Sequence, residues 1–258
     1  MTTVLIVEDD DAIRNNVARL LRLEGYEVSV AVNGTEGLEQ ARALRPDVVV
    51  SDINMPGIDG FALVQAVRAD PVGRATQAGP EIRLALAYQA MADVLPPLMR
   101  RGAVPVRVAH NDAKIANVLF EAGSGRALAV VDLDTVMPGS ALHDFGDLVR
   151  SSVSASAEDE TDLSRVDVRI PWFRALVEGY LSEAGSVLTP DERRLLVFAG
   201  RLITLEQAVR FLTDHLQGDR YYRTTRAGQN LDRARTQFRL FERLTERMEE
   251  LEEIVAGR

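Results

Sequence analysis

Residues 1–76 alternate short apolar runs with apolar positions at helical spacing, and that alternation constrains the fold more than any other feature. Val4-Leu5-Ile6-Val7 ends abruptly in Glu8-Asp9-Asp10-Asp11, and Ile13, Val17, Leu20 and Leu21 then recur at helical spacing until Gly25. Tyr26 to Val32 is β-rich, and Asn33-Gly34 turns the chain. Leu38, Ala41 and Leu44 mark a second helix, Val48-Val49-Val50 a third strand ending in Ser51-Asp52, and Phe61 to about Ala69 a third helix. Strands alternating with helices predict a parallel sheet. Ligands of such sheets gather at the carboxyl ends of the strands, where Glu8, Asp9 and Asp52 fall.

The pattern changes after Asp70-Pro71. Pro71 to Pro80 is punctuated by Gly and Pro and reads as a junction, which places one domain at 1–76 and a second at 77–258. Glu81 to Arg101 predicts an amphipathic helix interrupted at Pro96-Pro97. Short strands are expected at Val104–Ala109, Val118–Phe120 and Ala127–Val131, and the chain beyond Ser151 reads as mostly helical. Thr189-Pro190-Asp191-Glu192 is a helix start, with a capping Thr, Pro at the first helical position and Glu at the third. Leu195 to Leu216 and Ala234 to Val255 predict long helices.

Composition then narrows the function classes. The chain has 258 residues, 30 basic and 39 acidic, and a formal charge of −9, a field that repels phosphate; no nucleic-acid partner is expected. No apolar run reaches the ~20 residues of a bilayer span, and the N-terminus lacks a basic n-region, so a cytoplasmic chain with no membrane partner is expected. No cysteine is present, which removes disulfides and thiolate metal sites. Of the basic residues 29 are Arg and only Lys114 is Lys, so any chemistry that needs a lysine must use it.

Three carboxylates at the open edge of a sheet repel one another unless a hard cation joins them, and such oxygen ligands suit Mg²⁺. With that charge neutralised, Asp52 can attack a phosphoryl group and form an aspartyl phosphate. Val4-Leu5-Ile6-Val7-Glu8-Asp9-Asp10 and Asp52-Ile53-Asn54-Met55-Pro56-Gly57-Ile58-Asp59-Gly60 resemble the receiver domain of two-component response regulators, over roughly residues 2–75. The resemblance implies a flavodoxin-like α/β segment, Asp52 as phosphoacceptor, Glu8 and Asp9 as Mg²⁺ ligands, and the Asn54 carbonyl completing the metal site. It also implies a sensor histidine kinase as partner. A receiver has five βα units and this segment supplies three, so the family's switch Ser/Thr and its conserved lysine have no counterpart here.

A second constellation follows residue 105: His110-Asn111-Asp112-Ala113-Lys114-Ile115-Ala116-Asn117, then Val130-Val131-Asp132-Leu133-Asp134. Phosphoryl transfer to a hydroxyl needs a carboxylate to accept the proton and oxygen ligands for Mg²⁺; Asp112, Asn117 and Asp132 supply that set, and His110 is expected to hold Asp112 by a hydrogen bond within the loop. With Asp144-Phe145-Gly146-Asp147, this stretch resembles the C-lobe of the aminoglycoside-phosphotransferase and choline-kinase group, nearest to N-acetylhexosamine 1-kinases, from about Glu81 to Val255. That resemblance implies Asp112 as catalytic base, Lys114 near the transferring phosphate, Asn117 and Asp132 as Mg²⁺ ligands, and His110, Asp134, Asp144 and Asp147 as structural residues near the site. Its cofactors would be ATP and Mg²⁺, and its substrate a sugar hydroxyl. An ATP-binding N-lobe has no counterpart in the sequence, which implies weak or absent activity.

The expected architecture is therefore a three-βα-unit parallel sheet fused to a mainly α, kinase-like C-lobe. The leading functional expectation is a sugar-kinase-like chimera. The alternatives are a phosphorelay module that accepts phosphate on Asp52, and a recombined or engineered chain without native activity. A homo-oligomer is compatible with any of them. Trp172 is expected in the core, and Phe241, Leu244, Met248, Leu251 and Val255 on a helix face packed within the C-terminal part. Elements of the kinase-like lobe, such as the 81–101 helix, are expected to cover the free edge of the third strand, because an unpaired edge invites pairing.

Overall fold

The computed structural model describes residues 2–8, 11–32, 34–51 and 69–257. The chain forms two compact units, Met1–Gln65 and Ala66–Arg258.

In the first unit, strands β1 (Thr3–Val7), β2 (Glu27–Ala31) and β3 (Val48–Ser51) form a parallel sheet in the order β2-β1-β3. The register sets Val4 opposite Val28 and Val48, and Val7 opposite Ala31 and Ser51. Side chains alternate across a strand, so β1 feeds two separate cores. Leu5 and Val7 pack with Ala31 and Ala41 on one face, Ala41 belonging to helix α2 (Gly34–Leu44). Val4 and Ile6 pack with Val17, Ala18 and Leu21 of helix α1 (Asp11–Leu23) on the other. A strand buried on both faces reads as an unbroken apolar run, as Val4–Val7 does. Gly37 permits the close approach of α2, since a Cβ there would lie 2.7 Å from Val7 Cγ2. Asp47 accepts hydrogen bonds from the Thr3 backbone N–H at 2.8 Å and hydroxyl at 2.9 Å, and these hold its carboxyl below the usual range.

The expected third helix at 61–69 lies almost wholly outside the described residues. Among those that are described, β3 has no strand beyond it. Val48, Val49 and Val50 are 45%, 50% and 41% exposed, less buried than the Val4–Val7 run of the central strand.

The second unit is mainly helical. Helix α3 (Gly79–Ala87), a 3₁₀ turn (Gln89–Asp93) and α4 (Leu95–Arg100) replace the single interrupted helix expected at 81–101. Pro96 and Pro97 begin α4, where a missing N–H is harmless. Two antiparallel ribbons follow: β4 (Arg107–Ala109) with β7 (Met137–Gly139), and β5 (Val118–Phe120) with β6 (Ala127–Val130). Strand β7 escapes the sequence reading because Met-Pro-Gly carries no β pattern.

The remaining helices are α5 (Ala141–Ser152), α6 (Ile170–Ala184), α7 (Pro190–Arg194), α8 (Leu196–Gln217), α9 (Gln229–Glu246) and α10 (Met248–Ala256). Helix α8 is the axis of the unit, with α5 and α9 packed along it. The α5–α8 contact depends on small residues: a Cβ on Gly146 would meet Ile203 Cγ1 at 2.3 Å, and one on Gly200 would meet Val149 Cγ1 at 2.8 Å. The Thr189 capping box at α7 forms as expected, with the Thr189 side chain and Glu192 exchanging hydrogen bonds with each other's backbone. Glu192 also receives the Arg107 guanidinium at 3.2 and 2.8 Å, which fixes β4 to α7.

Phe241, Leu244, Leu251 and Val255 are buried as the 3,4 spacing predicts, although the helix breaks in two at Arg247. Trp172 is instead 46% exposed, with the Arg169 guanidinium 5.0 Å from its ring. It falls in the first turn of α6, off the stripe formed by the buried Phe173, Val177 and Leu181.

Candidate functional site

The carboxyl end of the parallel sheet is built by register. Val7 and Ser51 are partners on neighbouring strands, and the residues that follow them in sequence are Glu8 and Asp52. Glu8 is buried at the end of β1, where its N–H donates to Ala31 O at 3.1 Å and its carbonyl accepts from Arg14 at 2.8 Å. The first continues the β1–β2 ladder by one residue, and the second holds the Glu8 carbonyl from α1, so both fix the backbone that carries this carboxylate. Asp9, Asp52 and Asn54 lie outside the described residues.

The second constellation is fully described. The loop after β4 is held from α5: Asp144 accepts the backbone N–H of His110 at 2.9 Å and of Asn111 at 2.8 Å. Asn111 and Asp132 adopt left-handed backbone, with φ of 58° and 66°, a conformation that non-glycine residues hold only when their surroundings enforce it. The Asn111 amide donates to Thr135 O at 3.2 Å, and His110 Nε2 lies 3.1 Å from Val131 O. His110 therefore ties the loop to the 131–136 segment rather than to Asp112, and its Nδ1 is buried without a partner among the described residues.

Asp112, Lys114 and Asn117 come together. Lys114 Nζ donates to Asp112 Oδ2 at 2.5 Å, and Asn117 Nδ2 donates to the same oxygen at 3.1 Å and to Asp112 O at 2.9 Å. Asp132 stands 3.9 Å from Lys114, half exposed, whereas Asp134 is exposed on the 3₁₀ turn Leu133–Thr135. Asp147 binds Arg150 at 2.7 Å, and burial pushes its carboxyl up despite that pairing. Arg150 was not singled out by the sequence reading, yet it lies within 4.0 Å of Asp112 and of Glu158. The signal for it was the i,i+3 spacing of Asp147 and Arg150 on one helix face. Among the described residues no group of three or more His, Asp or Glu is arranged to hold a metal ion, and none of the helices is long and apolar enough to cross a membrane.

The family model of the response regulator receiver domain matches residues 4–93. Over 66 residues the chain is 50% identical to the transcriptional regulatory protein PrrA of Mycobacterium leprae, covering 26% of this chain and 28% of that protein. It is 32% identical over 201 residues to the transcriptional regulatory protein CseB of Streptomyces avermitilis, covering 76% of this chain and 73% of that one. It is 30% identical over 139 residues to the DNA-binding response regulator MtrA of Mycobacterium leprae, covering 51% and 59%. The chain thus spans little more than a quarter of the length of PrrA.

Two expectations are corrected by these likenesses. The sugar-kinase chimera gives way, because the likeness to a regulator reaches across three quarters of the chain. ATP as a cofactor and a sugar as substrate fall with that reading. The exclusion of nucleic acid also gives way, since a relative of this chain is a DNA-binding regulator. The exclusion rested on net charge, which averages over the whole surface and does not describe a local one.

Proposed function

The chain belongs to the response-regulator family, and from that premise we propose that it is a phosphate-accepting signalling protein whose acceptor is Asp52. The observation that carries this reading is the pairing of Val7 with Ser51, because the two residues that follow are the acids Glu8 and Asp52. Residues 1–76 act as the receiver and 77–258 as the unit that carries its output. Glu8, Asp9, Asp52 and the Asn54 carbonyl would hold Mg²⁺. The buried Glu8 carboxylate at the end of the central strand fits a hard cation, since oxygen ligands of this kind are what Mg²⁺ takes. When bound, the ion supplies charge neutralisation for the carboxylates and the phosphoryl oxygens.

In the transfer, an Asp52 carboxylate oxygen attacks the phosphorus of a phosphohistidine on a sensor kinase. The new O–P bond forms as the N–P bond breaks, and the electron pair leaves on the imidazole nitrogen. Glu8 stays on rigid backbone throughout, so its carboxylate is positioned before the donor arrives. DNA is the target class of the output, by analogy with the named relatives, and the cytoplasm is where such a donor and such a target are both met.

The test is intact-mass measurement after incubation with Mg²⁺ and a small phosphodonor such as acetyl phosphate. The expected result is a single added phosphoryl group, removed by hydroxylamine and absent in Asp52→Asn. An unchanged mass in the wild type, or an increment that survives in Asp52→Asn, would overturn the reading.

A further inference from the structure

The segment that leads into α3 is fastened to the end of α8 by one charged side chain. Residues 70–78 form hydrogen-bonded turns. Asp70 Oδ1 accepts the backbone N–H of Arg74 at 2.7 Å and of Ala75 at 3.1 Å, Asp70 O accepts that of Gly73 at 3.1 Å, and Arg74 O accepts those of Gln77 and Ala78. Turns this short do not persist in water by themselves, so their order reports docking. Arg74 supplies the docking contact: its Nη1 donates to His215 O at 2.9 Å and to Asp219 Oδ2 at 2.5 Å, and lies 3.5 Å from His215 Nδ1. Val72 packs beside it, where a Cβ on Gly218 would meet Val72 Cγ1 at 3.2 Å.

His215 is buried, at 3% exposure. Arg74 points a donor at Nδ1, so in the neutral ring Nδ1 is the acceptor and the proton resides on Nε2, which is buried with no partner among the described residues. Charges face the ring from several elements. Arg74 comes from the 70–78 segment and Asp219 from the turn after α8, with its Oδ1 4.0 Å from Nδ1. Arg235 of α9 and Glu81 of α3 are paired with each other at 2.7 Å. Asp214, one residue earlier on α8, is engaged by the amides of residues 220–222 and by Asn230. Burial first, then Arg74, keeps the ring neutral against the opposing pull of Asp219.

We propose that His215 is a proton-operated catch on this segment: neutral, it holds Arg74 and residues 70–77 at the end of α8, and protonated, it lets them go. The proton enters at Nδ1, the nitrogen that faces Arg74. Nδ1 then changes from acceptor to donor, two cations stand 3.5 Å apart, and the new N–H competes with Arg74 for Asp219. The partner that leaves is Arg74, because its side chain is already 28% exposed and hydrates on leaving, whereas His215 is fixed on a long helix. Ala78 is fully buried, so release stops there and frees about eight residues, up to ~27 Å of extended chain. The connection to the first unit lengthens by that amount. All the residues of the catch belong to the second unit, so the inference does not depend on phosphorylation at Asp52.

Hydrogen exchange on the full chain at about pH 7.5 and about pH 5, corrected for the intrinsic pH dependence of amide exchange, reads the catch at Gly73, Arg74, Ala75 and Gln77. The wild type should lose roughly tenfold or more protection at these amides at the lower pH, while residues 205–212 within α8 keep theirs. The midpoint should coincide with the titration of the His215 imidazole followed by NMR. Arg74→Ala should exchange fast at both pH values. His215→Asn, whose side-chain oxygen accepts from Arg74 and does not titrate, should stay slow at both. Circular dichroism melts at the higher pH check that both variants fold, and the wild-type comparison stands without either. Equal protection at both pH values in the wild type, parallel loss at residues 205–212, a midpoint apart from the His215 titration, or a pH response that survives in His215→Asn would overturn the proposal.

Discussion

Asp214 gathers four hydrogen bonds on one buried carboxylate near the end of α8. Oδ1 accepts the backbone N–H of Arg220 and of Tyr221, each at 2.8 Å, and Oδ2 accepts the N–H of Tyr222 and the Asn230 amide, each at 2.9 Å. Replacement by asparagine keeps the shape and leaves one acceptor oxygen. Whichever way the amide turns, two donors then face an NH₂ group. A hydrogen bond to a charged group contributes ~1.5–3 kcal/mol. Arg220 and Tyr221 lie at the surface, where water can replace the carboxylate, so turning the amide toward them limits the loss to about 3 kcal/mol. For a unit of ~200 residues that corresponds to a fall in Tm of about 10 °C. A circular dichroism melt of Asp214→Asn would measure it, and hydrogen exchange should quicken selectively at the amides of residues 220–222. A loss under ~1 kcal/mol with unchanged exchange at those amides would refute the assignment of this carboxylate as the organiser of the turn.

Other outcomes follow from the same geometry. Gly146→Ala forces a methyl against Ile203 and Ala199 O and should cost about 1–3 kcal/mol by overpacking, read as a lower urea midpoint. Burial, reinforced at His215 by Arg74, pushes His143 and His215 below their usual value near 6.5. The unfolded chain then binds more protons in that range, so stability is complete above about pH 6.5 and falls as pH drops toward the depressed values. Urea midpoints from pH 7.5 to 5 should show that decline, and His143→Gln with His215→Gln should flatten it. Tyr180 is pushed up to about 12, by burial first and then by Asp144 and Glu192. Its stabilising share is present below pH 10 and lost toward 12, and ultraviolet titration should show one late phenolate missing in Tyr180→Phe.

The legible parts of the fold were those written in local pattern. Val4–Val7 announced a strand and Thr189-Pro190-Asp191-Glu192 a helix start, because each signal is complete within a few residues, whereas the equally apolar Val48–Val50 gave no sign of its exposure. The 3,4 stripe from Phe241 to Val255 was read as core correctly, while the break at Arg247 left no mark on that spacing. Trp172 was misread because its size argues for burial and nothing local says which side of α6 faces solvent. The roles of Asp144 and Arg150 depend on partners 33 to 38 residues away in sequence, which periodicity cannot reveal. The whole-chain charge misled about nucleic acid because it carries no spatial information, and the kinase-like motif misled about function because a shared loop does not specify a shared reaction.

Among the described residues β1 is the one strand hydrogen-bonded on both sides while buried on both faces. Its amides cannot reach solvent by fraying of an edge or by the lifting of one helix. They should therefore be the slowest to exchange in the first unit, and their rates report its global free energy rather than a local opening. That gives the protein a built-in gauge. Any event at the carboxyl end of the sheet that stabilises the unit should register on Leu5 and Ile6, one strand away from the chemistry, as a uniform slowing of the same few amides.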